Sequence, residues 1–166
     1  MARGILILAI MTLYVLSVKS DDLNFLEEVD CTARSFNLRP ERFPKRYVTM
    51  ESGAKGQLYA RRGYFGENNA FIFKRINANE PYFYIKSKKL KNRYVFMTDI
   101  PEGLIQSTRK VPGAEGEWKI QKVSEGEYAL FPKEWPNWHM CRKNDYFGTM
   151  IGCKDAAGPE GRFFID

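Results

Sequence analysis

The sequence predicts an all-β domain assembled from three copies of one four-stranded unit. Three observations carry this. Like residues recur at two constant offsets along the chain. The segments between Gly and Pro are short, aromatic and β-branched, and a leader at the N-terminus stands outside the pattern.

The leader comes first, because targeting segments must be removed before a fold is read. Met1-Ala2-Arg3 is a short basic start, and Gly4 to Val18 carries no charge. That stretch is shorter than the roughly 20 apolar residues that cross a bilayer. Val18 and Ser20 place small residues at the −3 and −1 positions of a cut after Ser20, and Asp21-Asp22 then opens a polar chain. Residues 1–20 therefore read as a signal peptide, with an uncleaved anchor as the alternative. The remainder is expected to be secreted and extracellular, without stable membrane insertion once the signal is cut. Residues 21–34 form an N-terminal extension in which Phe25, Leu26 and Val29 can pack against the domain.

The repeat places its copies at about 35–80, 81–125 and 126–166, with offsets of 47 and then 45. Phe36, Phe83 and Tyr128 share a column, and so do Leu38, Ile85 and Leu130. Phe43, Leu90 and Trp135 follow, then Tyr47-Val48, Tyr94-Val95 and His139-Met140. Gly56, Gly103 and Gly148 align, each two residues before Leu58, Ile105 and Met150. Gly66, Gly113 and Gly158 align too, and the copies close on Phe71-Ile72-Phe73, Trp118-Lys119-Ile120 and Phe163-Phe164-Ile165.

Segments of this composition are strands joined by turns, as 12 Phe, 9 Tyr and 3 Trp favour. In the second copy the strands are expected at Tyr82–Lys86, Arg93–Thr98, Leu104–Thr108 and Trp118–Gln121. One copy cannot bury its own apolar face, so the three must share a core about a common axis. Closure also removes sheet edges.

Three copies of about 45 residues, four strands each, with an aromatic-x-apolar close, resemble the β-trefoil superfamily. That resemblance implies twelve strands in three pseudo-equivalent repeats over essentially the whole domain from residue 35 on; a β-prism is the rival threefold architecture. It implies little about function, because the superfold hosts growth factors, cytokines, lectins and inhibitors. The Gln-x-Trp signature of ricin-type lectins is absent: Gly116, Lys133 and Pro136 stand two places before the three tryptophans.

Three cysteines leave one over in a secreted chain. Pro101-Glu102-Gly103 suits a three-residue hairpin loop with glycine in the left-handed position. If Ile100 faces Leu104, then Phe96 faces Thr108, and the offset of 45 carries that pair onto Cys141 and Cys153. A Cys141–Cys153 disulfide is therefore expected, leaving Cys31 free, buried or available to a second chain.

Removing Arg3 and Lys19 from 26 basic residues leaves 24 against 20 acidic ones, a net charge of +4 rather than +6. That mild bias excludes a nucleic-acid signature and fits anionic partners at a cell surface. No Asn-x-Ser/Thr triplet occurs. His139, the one histidine, sits in the column of Tyr47 and Tyr94 and reads as structural. No catalytic residue, metal ligand set or cofactor motif stands out.

The candidate binding residues are Arg46 in the run Arg39–Arg46, and Lys86, Lys88, Lys89, Lys91 and Arg93 in its counterpart. Clustered cations attract sulfated glycans, although they also suit a solvated strand edge. In the third copy Trp135 is expected in the core, whereas Trp138 replaces Arg46 and Arg93 and reads either as an exposed anchor or as packing against a neighbouring loop. Tyr64-Phe65-Gly66 and Tyr146-Phe147-Gly148 read as loops. The functional expectation is a non-enzymatic, monomeric binding protein whose partner is an extracellular protein receptor or an anionic glycan. A carbohydrate-binding lectin, or an inhibitor of the β-trefoil type, is the alternative.

Overall fold

The computed structural model describes residues 34–53, 56–63, 66–101, 103–154 and 156–166. The signal peptide, the extension up to residue 33, Cys31, Tyr64, Phe65 and Glu102 lie outside the described residues.

Twelve strands occur among the described residues, four per copy. The first copy holds β1 (Phe36–Pro40), β2 (Tyr47–Met50), β3 (Leu58–Arg62) and β4 (Ala70–Arg75). The second holds β5 (Tyr82–Ser87), β6 (Tyr94–Met97), β7 (Ile105–Thr108) and β8 (Glu117–Ser124). The third holds β9 (Glu127–Pro132), β10 (His139–Arg142), β11 (Met150–Cys153) and β12 (Phe163–Ile165). All three copies thus form the four strands that the repeat predicted.

The first and last strand of each copy pair in the cyclic order β1, β4, β5, β8, β9, β12 and back to β1. Six antiparallel strands therefore close a barrel with no free edge. The middle strands form three hairpins, β2–β3, β6–β7 and β10–β11.

Alternation decides which residues fill this frame, because successive strand side chains point to opposite faces. The strands β1, β2, β5, β6, β7 and β11 alternate strictly between buried and half-buried positions. The aligned columns become the core: Leu38, Ile85 and Leu130 are fully buried, as are Leu58, Ile105 and Met150. Beside that second triplet the Gln57 amide donates to the Ile105 carbonyl at 2.9 Å and the Met150 carbonyl at 3.2 Å. One side chain from the first copy thereby ties all three hairpins together. Trp118 is fully buried and satisfies its indole N–H on the Val95 carbonyl at 3.0 Å, as a buried indole requires.

The hairpins are locked by their tips. Gly56, Gly103 and Gly148 all have positive φ, at 54°, 51° and 64°. Each lies against the third strand of the next hairpin round the axis. The Gly152 amide donates to the Gly103 carbonyl at 2.6 Å, and the Ala60 amide to the Gly148 carbonyl at 2.8 Å. A Cβ on Gly56 would meet the Ser107 carbonyl oxygen at 3.1 Å. Ala60, Ser107 and Gly152 are themselves one repeat column, so the three contacts fall at equivalent positions.

Two expectations need correction. Tyr94 pairs with Thr108 and Phe96 with Gln106, so the second hairpin is two residues out of the expected register. The cause is loop length. Thr98 and Leu104 close the turn through an amide-to-carbonyl bond of 2.9 Å, leaving five residues in the loop rather than three. In the third copy Cys153 accordingly faces His139, and Cys141 faces Ile151. Cys141 and Cys153 are nonetheless joined, diagonally, with 6.0 Å between their Cα atoms. A slip of two preserves the face of every side chain, whereas a slip of one reverses it. Trp135 is not in the core either: it is half-buried, as are Phe43 and Leu90 in its column.

Gly148→Ala should destabilise the fold by at least about 2 kcal/mol, since an alanine at positive φ is strained and its Cβ would stand 2.6 Å from the Ala60 carbonyl oxygen. A thermal melt should show a midpoint about 5 °C lower or more; an unchanged midpoint would remove the tip contacts from the account of stability. Replacing Cys141 and Cys153 together by serine should cost about 2–3 kcal/mol, the value expected for a short cross-linked loop, as read by urea unfolding.

Candidate functional site

The long β5–β6 connection carries the second basic run. Ser87 Oγ accepts the Leu90 amide at 3.0 Å, and the Arg93 amide donates to the Leu90 carbonyl at 3.1 Å. Asn92 takes a positive φ of 58° between them, a conformation that asparagine tolerates better than most residues. These bonds fold the run Lys88–Arg93 into a compact turn, so its charges are held over a fixed patch of surface.

That turn meets the tip of the first hairpin. Together they form a concavity of about 370 Å³ lined by Ser52, Lys89, Leu90, Lys91, Arg93 and Arg109. Four of the six lining residues are cationic and none is acidic. Lys89, Lys91 and Arg109 are exposed, whereas Arg93 is half-buried and donates from Nη1 to Ser107 Oγ at 3.1 Å. Arg93 thus braces the concavity while the other three present charge to solvent. Like charges held together in a recess leave an uncompensated positive potential, which attracts anions over about a Debye length.

The structure brings together three of the expected binding residues, Lys89, Lys91 and Arg93, and separates the others. Lys86 lies on β5 with Nζ 5.2 Å from the centre of the Tyr94 ring. Lys88 faces Glu67, 4.0 Å away. Arg46 is exposed on the first copy, one third of a turn round the axis. In the same first run, Arg39 donates from Nη2 to the Asp166 carboxylate at 2.7 Å, and Arg42 pairs with Glu160. Sequence reasoning missed Arg109: it lies 18 residues beyond Lys91, and only the β6–β7 hairpin returns it to the loop.

Trp138 is half-buried rather than an exposed anchor. A Cβ on Gly152 would meet its ring at 3.2 Å and one on Gly103 at 3.8 Å, so the indole lies over the tip of the second hairpin. Arg93 holds the matching position over Gly56, with Nη1 2.6 Å from where a Cβ would stand. Both side chains cover a left-handed glycine, one with an indole and one with a guanidinium.

His139 is buried, with its ring tilted against Phe131 at 5.9 Å between centres. Its ring fills the space that a side chain on Gly161 would need. Packed this way it is a structural residue, in line with its column. Among the described residues no group of three His, Cys, Asp or Glu is arranged to hold a metal ion.

At the third equivalent junction the aromatic residue is already covered. Arg142, itself buried, stands 3.9 Å from the centre of the Phe43 ring and donates from Nε to the Ala60 carbonyl at 3.0 Å. Burial pushes its guanidinium below the ordinary arginine range; Asp145 opposes that shift, and the Arg46 and Arg42 cations reinforce it.

No protein-family model matches the chain, and no curated protein matches it in sequence. Solved structures do match in shape. The BEL β-trefoil is 8% identical with a TM-score of 0.68, covering 83% of this chain and 95% of that one. The fold is a β-trefoil. A ricin B-like lectin from Macrolepiota procera, solved with lactose, is 12% identical with a TM-score of 0.66, covering 81% of this chain and 96% of the lectin. A mosquitocidal holotoxin reaches a TM-score of 0.72 at 12% identity, covering 80% of this trefoil chain, which spans only 17% of the toxin. Two glycosidases also match, and the trefoil spans 32% and 30% of their lengths. Identities this low establish a common fold and nothing finer.

Trp138→Ala should act on stability, costing about 2 kcal/mol through lost packing over Gly103 and Gly152. A lower thermal midpoint with ligand retention unchanged is the expected result. Lost retention at an unchanged midpoint would return Trp138 to the binding residues.

Proposed function

We propose that this chain is an extracellular, non-enzymatic binding module that holds an anionic glycan in its basic concavity. The observation that carries the reading is the convergence of Lys89, Lys91, Arg93 and Arg109 on one recess with no acidic lining residue. Sulfate and carboxylate groups suit it, because charge-assisted hydrogen bonds from ammonium and guanidinium groups are the strong ones. The basic leader with its uncharged run supports secretion. Fold neighbours that are lectins, among them the Rhizoctonia solani agglutinin, support a glycan as the ligand class.

A second reading, a protein receptor, is favoured by one specific feature. Tyr146 and Phe147 stand 92% and 50% exposed at the tip of the third hairpin, with ring centres 5.3 Å apart. Exposed aromatic pairs on a fixed turn resemble the anchors of protein interfaces. Asp145 fixes this turn by accepting the Thr149 amide at 3.0 Å.

The chain starting at Asp21 should be retained on immobilised heparin at about 0.15 M salt and released as screening rises. The combined variant Lys89→Ala, Lys91→Ala and Arg109→Ala should flow through under the same conditions. Flow-through of the unaltered protein at low salt, or retention of the triple variant at an unchanged salt concentration, would refute the glycan reading. Arg93 is left out of this variant because it braces Ser107 and the Gly56 tip.

A further inference from the structure

The offset of 47 carries Ser52 onto Asp99, and the offset of 45 carries Lys89 onto Glu134 and Leu90 onto Trp135. Asp99, Glu134 and Trp135 line a second concavity, of about 470 Å³, together with Phe96, Met97, Thr98 and Glu115. The two recesses thus share three repeat positions, a third of a turn round the axis apart, and their lining charges are opposite in sign. Lys91, Arg93 and Arg109 map onto Pro136, Trp138 and Lys154, which do not line the second recess. We propose that it is a second ligand site, built for a glycan unit that carries a free ammonium group, that is, a de-N-acetylated hexosamine.

Several observations point to that chemistry. Asp99 follows β6, Glu115 belongs to the 3-10 turn Ala114–Gly116, and Glu134 lies between β9 and β10. The carboxylates therefore reach the recess from three separate elements. The Glu115 carboxylate is held directly, and the main chain is fixed at the other two. The Asp99 carbonyl accepts the Gly103 amide at 3.1 Å, Glu115 Oε1 accepts the Gly113 amide at 3.1 Å, and the Glu134 amide donates to the Ala114 carbonyl at 3.2 Å.

No cation lines the recess. Lys133, next to Glu134 in sequence, turns instead to Glu117 at 2.8 Å and Glu80 at 2.9 Å, which together hold its ammonium well above the ordinary lysine range. The negative charge at the recess is thus left to a ligand.

The carboxylates share the recess with two half-buried aromatic rings, Phe96 and Trp135. A ring face beside carboxylates is an environment for an organic cation, and an indole also stacks on the C–H face of a pyranose. A hexosamine offers both at once, with hydroxyls for the remaining carboxylate oxygens and for Thr98. An open recess with acceptors arriving from three elements suits a ring better than a single extended side chain. The ligand is opposite in charge to the anionic glycan proposed above, and the lining residues are different, so neither reading depends on the other.

Isothermal titration of the chain starting at Asp21 with a glucosamine tetramer, its N-acetylated counterpart and a tetralysine peptide tests this. The free-amine oligomer should bind, and the N-acetylated one at least about tenfold more weakly, having lost the charge. Trp135→Ala should weaken free-amine binding by at least about tenfold, as should the pair Asp99→Asn and Glu134→Gln, whose thermal midpoint checks that the fold persists. The triple variant at Lys89, Lys91 and Arg109 should bind the free-amine oligomer unchanged, so that failure of either site is read separately. Equal affinity for both oligomers, or no binding of the free amine at low salt, would overturn the proposal. So would tetralysine binding as tightly and with the same sensitivity to Trp135→Ala, which would assign the recess to a protein ligand.

Discussion

The architecture depends on three close approaches of backbone to backbone, where Gly56, Gly103 and Gly148 set a hairpin tip against the third strand of the next copy. Each approach sets a glycine on a left-handed turn and joins two copies; at Gly56 and Gly148 there is also no room for a Cβ. Loss of one would loosen the fit of two hairpins around the buried triplet of Leu58, Ile105 and Met150. The barrel below supplies closure; the glycines supply the close fit of the cap above it.

The symmetry of those contacts does not extend to the side chains that cover them. Arg93 covers Gly56, whereas Trp138 covers Gly103. A similar substitution occurs in the core. The Val48 carbonyl accepts the Asn69 amide at 3.2 Å, and its counterpart on Val95 accepts the Trp118 indole at 3.0 Å. Buried acceptors must be satisfied, but chemically different donors can do it. The repeat therefore constrains the backbone tightly and the side chains loosely, and the loosest positions are those facing solvent beside the tips.

This explains what was legible in the sequence. Core columns such as Leu38, Ile85 and Leu130 repeat because all three face one axis, so constant offsets exposed the strands and the fold. Register was less legible, because it depends on how many residues a loop contains, and five rather than three separate Thr98 from Leu104. The pairing of Cys141 with Cys153 survived that slip only because two residues is a full strand period. The burial of Trp138 was hard to read for another reason. Its column holds arginines, and an arginine can cover apolar surface with its stem while keeping its charge in water; a polar residue in a column is therefore no evidence that the position is open. Arg109 joined the site through tertiary folding alone.

The three junctions between copies show how function enters a symmetric frame. At one, Lys89 and Leu90 sit beside further cations; at the next, the same positions carry Glu134 and Trp135. At the last they carry Arg42, paired with Glu160, and Phe43, covered by Arg142. Apart from Arg142, which is buried, these side chains are half-buried or exposed. Reversing the charge at the exposed position filled by Lys89, Glu134 and Arg42 therefore costs the fold little, since solvent-exposed charges contribute little to stability. The same freedom does not reach the glycine tips or the axial triplet, where a single atom added or lost disturbs two copies together. A scaffold divided in this way can hold one junction closed and leave two recesses of opposite charge open on the same barrel. The backbone that all three share remains unchanged.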